Sequence, residues 1–432
     1  MLRQIKLDQL REFMHGNILV LTITGSLGMF CRSMVFPYAS LYILSLGGEP
    51  TQIGLINSIS PLAGLIMFPL AGYLTDHAGR VKLVTVAGYL SAVLSFAYAL
   101  APNWQIIAVA RFLQGFMVFQ FPPTSAIIAD SLSPESRGRG MAAMNTISAA
   151  FSIVAPYVAG ALLDAQSINA GMRVLYAVMG IVILVSATIH LRYLKETSTH
   201  RITQVSLSEL PVILKNTYSG IPAVLKQLPH ALRALTIVIV LGFMCNGVAS
   251  SFWVVYATEQ IGLSSSSWGL ILVIETTLRS LMYIPAGMIA DHYGRTRCVI
   301  GALLLSLPAV LMFTMAKGFI HVLLIRSVAA IANACFLTAS AALMADMVPR
   351  DIRGRVMAAI GRGAVMLAPA SGGTGGPGLG FVITFPLMLA SLLGGYLYDY
   401  EPALPWIFVS AATMISIILA ALFIRDPKKA EV

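Results

Sequence analysis

Gly72-Tyr-Leu-Thr-Asp76-His-Ala-Gly79-Arg80-Val-Lys82-Leu-Val84 returns 215 residues later as Gly287-Met-Ile-Ala-Asp291-His-Tyr-Gly294-Arg295-Thr-Arg297-Cys-Val299. Six of the thirteen positions are identical, and Lys82 gives way to the like-charged Arg297. Each copy is a short polar bridge between two long apolar runs. In a chain of 432 residues, a repeat at half the length means two homologous halves.

The runs on either side decide the class. The chain is 57% hydrophobic and only 11% charged, against roughly 25% charged in soluble domains. About twelve apolar runs are long enough to cross a bilayer, each needing roughly 20 residues. Their approximate bounds are 17–45, 52–74, 83–101, 105–131, 140–163, 172–194, 234–258, 267–290, 298–316, 319–347, 376–398 and 404–424. Helices are expected, because a segment in lipid must satisfy its own backbone groups. The organisation read from this is an all-α membrane protein with twelve transmembrane helices in two pseudo-symmetric six-helix halves. Residues 1–16 form a surface helix, with Leu2, Ile5, Leu7, Leu10 and Phe13 among charges, and no cleavable signal peptide precedes the first span. Residues 17–194 form the first half, 195–233 a polar linker with Pro211, Pro222 and Pro229, 234–425 the second half, and 426–432 a tail.

The net charge of +10 raises the question of nucleic acid, and its distribution answers it. With the N-terminus placed in the cytoplasm, most Lys and Arg fall on cytoplasmic segments, and only Arg173 and Lys317 fall on external loops. That is the positive-inside bias, with both termini inside a cell membrane. Cys31, Cys245, Cys298 and Cys335 lie in or beside spans with no metal or disulfide spacing. No nucleotide loop or nucleophile–base–acid grouping stands out, and the seven His are scattered. An enzyme, a cofactor, a metal and a nucleic-acid partner are not expected, and one chain holding both halves makes a monomer sufficient.

Charges inside the spans carry the functional reading, since each is costly there. Arg32 sits near the middle of the first span. It either lines a watery cavity or locks two helices through a carbonyl. In the seventh span Asn246, Ser250 and Trp253 share a face at i, i+4, i+7. In the eighth, Glu275 and Arg279 are four residues apart, and Tyr283 continues that face. The pair either neutralises itself or serves substrate and protons. Its first-half equivalents are Ser60 and Gly64, so it lies outside the repeated framework. Arg111 recurs as Arg326 and is assigned to framework or coupling. Asp76 with Asp130, and Asp291 with Asp346, are acidic span ends close to Arg80, Arg137, Arg295 and Arg353. They read as a charge network closing the cytoplasmic face of each half, or as a static surface network. Gly72 is expected to permit close helix contact, and Gly79 and its repeat Gly294 a tight turn. The eleventh repeat is lengthened by Ala370-Ser-Gly-Gly-Thr-Gly-Gly-Pro-Gly-Leu-Gly380, which leaves Arg362 either cytoplasmic or intramembrane.

Gly72, Asp76, Gly79, Arg80 and Lys82, and their second copy, resemble the signature loop of the major facilitator superfamily, over about residues 15–425. Arg111, Gln114 and Gly115 resemble the fourth-helix motif of the drug–proton antiporters, whose Arg is associated with proton coupling. Ala155-Pro156-Tyr-Val-Ala159-Gly160 resembles the fifth-helix antiporter motif, with Ala at two of its glycines. Several such exporters carry an acid in the first helix, where this chain has Arg32. The resemblance implies a secondary transporter of a small molecule working by alternating access. Proton-coupled efflux of an amphiphilic or anionic molecule is expected, with Arg32, Asn246, Trp253, Glu275, Arg279 and Tyr283 at the substrate and Glu275 and Arg111 in proton coupling. Uptake of an organic anion or metabolite is the alternative, and a receptor or channel a remote one.

Overall fold

The computed structural model describes residues 14–198, 219, 228–348, 356 and 381–426, apart from the side chains of Phe68, Asp76 and Phe381. Residues 1–13, most of the linker, Arg353, Arg362, the Gly-rich insert and residues 427–432 lie outside the described residues. Among the described residues, eleven helices or broken helix pairs are long and apolar enough to cross a bilayer, and a bent one makes a twelfth.

The first six spans are α1 (Gly16–Val35) with α2 (Ala39–Ser45), the bent α3 (Pro50–His77), α4 (Arg80–Ala99), α5 (Trp104–Phe116) with α6 (Phe121–Asp130), α7 (Arg137–Ser152) with α8 (Ala155–Ala165), and α9 (Ile168–Tyr193). The second six are α10 (His230–Ala249) with α11 (Trp253–Glu259), α12 (Ser265–Tyr293), α13 (Arg295–Phe313), α14 (Phe319–Met347), α15 (Phe381–Tyr400) and α16 (Leu404–Phe423). Most spans start and stop within a few residues of the expected bounds. Proline explains three of the breaks, since it removes a backbone donor and crowds the preceding turn. Pro37 lies in a 3-10 turn after α1, and prolines open α6 and α8. The tenth span has Leu337 and Thr338 where the fourth has Pro122 and Pro123, and it runs unbroken as α14.

Six spans separate the two copies of the repeated loop, so both lie at one end of the bundle, here the loop end. The core is organised differently at the two ends. Toward the far end a single apolar cluster runs through both halves, taking in Tyr38, Tyr42, Trp253, Trp268 and Trp406. At the loop end each half has its own cluster, around Ile18 and Val84 in one and around Leu235 and Val299 in the other. The halves meet where α3 packs on α15 and α8 on α12. Glycines allow both crossings: a Cβ at Gly54 would lie 2.6 Å from the Ser391 carbonyl oxygen, and one at Gly160 2.3 Å from that of Ser265. Among the described residues the two halves are therefore joined toward the far end, whereas toward the loop end each packs around its own cluster.

One expectation for the repeated loop needs correction, that of close contact at Gly72. Among the described residues nothing lies within 4 Å of a Cβ built at Gly72 or at its repeat Gly287, so the close contact expected at Gly72 is not made there in this conformation. The repeated glycine also takes two conformations: Gly79 has an ordinary φ of −61°, and only Gly294 is left-handed, at φ 97°.

Candidate functional site

Glu275 lies ten residues into α12, which at 1.5 Å per residue places it roughly 15 Å from the far end. It is buried, with 2% of its surface exposed. Arg326, from the adjacent α14 and fully buried, donates to it twice: Nε to Oε2 at 2.9 Å and Nη2 to Oε1 at 2.9 Å. Arg279 approaches the same carboxylate less closely, with Nη1 3.6 Å from Oε1. The guanidinium of Arg326 also stacks on Trp253, 4.5 Å from the ring centroid. Phe313 and Trp406 pack on that indole in turn. A buried carboxylate is tolerable only with such partners, and the bidentate fork is the strong form of the pair.

For Arg326, assigned to framework or coupling, the geometry adds a partner that the sequence did not show. Its backbone position does repeat that of Arg111, but its side chain supplies the main counter-charge of Glu275. Arg111 has no carboxylate in ion-pair reach among the described residues; its guanidinium lies over the Phe36 ring at 5.7 Å, beside Tyr98. Arg32, one turn before Phe36 on α1, has a solvent-accessible side chain. Gly28 leaves room for it, with Nη2 3.6 Å from where a Cβ would be. No described acid or hydrogen-bond partner meets the Arg32 side chain, which disfavours the helix-lock alternative.

Asn246 and Trp253, expected at the substrate, are 6% and 1% exposed and do not reach open space in this conformation. Trp253 is taken up by Arg326 and its aromatic neighbours. Asn246 Oδ1, Ser250 Oγ and Trp253 Nε1 are each buried with no hydrogen-bond partner among the described residues. Tyr283 is half-buried two turns beyond Glu275 on α12.

At the loop end the charges pair within each half. Arg80 pairs with Asp130, while Arg295 pairs with Asp346 and, at 3.6 Å, with Asp291. Arg137 donates from Nε to the Ala129 carbonyl at 3.1 Å, covering a carbonyl at the end of α6. Sequence reasoning missed two acids. Glu196 accepts from Val81 N–H at 3.1 Å, and Asp426 accepts from Thr296 N–H at 2.8 Å. Each follows the last span of its half and caps the third. That common position was the signal available.

The comparisons agree with this architecture. The model of the Major Facilitator Superfamily matches residues 21–264 and again 235–432. An uncharacterised MFS-type transporter of Methanocaldococcus jannaschii, MJ1317, is 24% identical over 414 residues, 93% of each chain. The multi-drug resistance efflux pump PmrA of Streptococcus pneumoniae is 25% identical over 193 residues, 44% of this chain and 45% of that one. The crystal structure of a bacterial homologue of the human lysosomal transporter Spinster, inward-facing and occupied, superposes with a TM-score of 0.69 at 14% identity, covering 94% of this chain and 96% of that one. With two matching halves, twelve spans and the loop repeated at one end, this chain belongs to the Major Facilitator Superfamily: it is a multi-pass membrane transporter and not an enzyme.

Proposed function

We propose that this chain exports a small amphiphilic or anionic molecule in exchange for protons, its halves 17–194 and 234–425 rocking about a site near the bilayer midplane. The loop end is then cytoplasmic, with both termini on that side of the cell membrane, and a single chain suffices. The observation that carries the reading is one buried carboxylate, Glu275, shared by two guanidiniums. Protonation removes the only negative charge of the trio and leaves two cations facing each other in a poorly screened interior. Arg326 is held by Trp253. Arg279 is the looser partner and turns into the substrate space, where it displaces the bound molecule, so that proton and substrate occupy the site in alternation, as exchange requires. Relatives named as efflux pumps favour export.

The test is transport in proteoliposomes under an imposed pH gradient. Glu275→Gln is expected to abolish gradient-driven accumulation while substrate counterflow persists. Uphill, pH-driven transport retained by Glu275→Gln would show that coupling lies elsewhere. Absence of counterflow in the parent protein would point to a channel.

Uptake of an organic anion is the second reading, favoured by Arg32 and Arg111, which meet no described carboxylate. A thermal-shift screen of anions, cations and neutral amphiphiles separates the substrate classes. If the substrate is anionic, Arg32→Ala diminishes the shift given by anions alone.

A further inference from the structure

At the far end, one acid of the first half caps a helix of the second. Asp164, at the end of α8, accepts from Ser265 N–H at 2.8 Å with Oδ1 and from Ser266 N–H at 2.9 Å with Oδ2. These are the first two donors of α12, which no carbonyl within the helix can satisfy. Ser264, the helix's own cap, takes the third, from Ser267, at 3.2 Å. The contact ends a close crossing. The Tyr38 hydroxyl reaches the Pro156 carbonyl at 2.7 Å and the Ser265 carbonyl at 3.0 Å, and Gly160 and Gly269 let the two backbones touch. The carboxylate also lies where the helix dipole is positive.

We propose that Asp164 is the far-end latch of the transport cycle: the far end opens only when its carboxylate leaves the amino end of α12. The inference rests on the alternating-access reading and not on the coupling ion. The repeat supplies an internal control. Asp399, at the end of α15, is the counterpart of Asp164 and faces the start of α3. There Pro50 offers no N–H, and Glu49 and Gln52 already cap the helix reciprocally. Asp399 is left with one hydroxyl, Thr51 Oγ1, at 2.9 Å. The two crossings therefore close unequally, and Asp164 carries more of the closed state than Asp399.

The experiment is a distance measurement by pulsed electron spin resonance on full-length protein in nanodiscs, with the four cysteines replaced by alanine. Spin labels go on Pro102→Cys and Lys317→Cys, exposed equivalents 215 residues apart on far-end loops of the two halves. Asp164→Ala is expected to raise the long-distance, far-end-open population about fivefold, the shift a lost cap gives a two-state balance. Asp399→Ala is expected to shift it less than about twofold, as loss of a single exposed hydroxyl contact should. Ser265→Pro removes one donor and leaves the acid in place. Proline suits the first helical position, and Ser264 before it is already extended, at φ −69° and ψ 158°. It should raise the open population in the same direction, and it keeps the test alive if Asp164→Ala fails to fold. Two distance populations in the parent, unchanged in both Asp164→Ala and Ser265→Pro, would overturn the latch alone, as would a larger effect from Asp399→Ala. One fixed distance in every variant would overturn the latch together with alternating access.

Discussion

The crossing of α3 with α5 and the crossing of α12 with α14 occupy equivalent places in the two halves and treat charge in opposite ways. In the first half Ser60 and Gly64 face Gly115, and a Cβ on Gly115 would lie 2.3 Å from the Ser60 carbonyl oxygen. The helices touch backbone to backbone, and Arg111 turns away to Phe36. In the second half the same positions hold Glu275, Arg279 and the buried Ala330, and the carboxylate draws Arg326 into the crossing. The backbone architecture and the arginine are shared by both halves, whereas the acid belongs to one. A site present in one half has no symmetric duty to perform, which suits the coupling role proposed for Glu275 and leaves close packing as the task of its counterpart.

The sharpest way to break that contrast is Glu275→Ala. It takes the bidentate carboxylate away from Arg326, a fully buried cation, and removal of one partner of such a pair costs about 3–5 kcal/mol. A large fall in unfolding temperature in detergent is expected. Much of it should return when Arg326→Met is added, because an apolar pair of similar volume replaces a buried ion pair at little cost. If Glu275→Ala unfolds like the parent protein, the carboxylate is not what holds this crossing together.

Gly115→Ala probes the other half and should come next in size. The new methyl would meet a backbone carbonyl that cannot rotate aside, so the helices must shift, at about 1–3 kcal/mol. The reciprocal change, Ala330→Gly, meets no such barrier and should cost only about 1 kcal/mol, through helix propensity. Equal effects of the two substitutions, read by thermal unfolding, would mean that the crossings are packed alike.

How much of this was readable beforehand follows from the range of each interaction. The spans were legible because apolar length and the 215-residue offset are properties of the linear chain, whereas proline alone did not mark the breaks, since Pro285 and Pro308 lie inside unbroken helices. The Glu275–Arg279 pair was legible from its spacing on one helix. Its tighter partner was not, since Arg326 lies 51 residues away and only tertiary packing brings it there. One hint did exist: opposite charges at similar depth in two spans of one half, where neither can remain bare. The burial of Trp253 left no trace in its spacing, because a stripe of polar and aromatic residues looks the same whether it faces a cavity or an arginine. The cap that Asp164 places on α12 belongs to the same class, since helix ends advertise unsatisfied donors but not who answers them.

The repeated loop gives the smallest and cleanest contrast, between two glycines that look interchangeable in sequence. Gly79 has φ −61°, which any residue adopts, so Gly79→Ala brings no backbone strain and should cost less than the same change at Gly294. Gly294 has φ 97° and ψ 139°, a region that side chains avoid at a cost of about 1–3 kcal/mol. A Cβ there would also lie 2.6 Å from Asp426 Oδ2, whose carboxylate caps α13 through Thr296. Gly294→Ala should therefore lower the unfolding temperature, and adding Asp426→Ala should bring little further loss, because the first change already disturbs the cap. Fully additive losses would show that strain at Gly294 and the Asp426 cap are independent. Equal tolerance of alanine at both glycines would mean that the two copies of the loop turn alike, and that the halves differ only in the charge they bury.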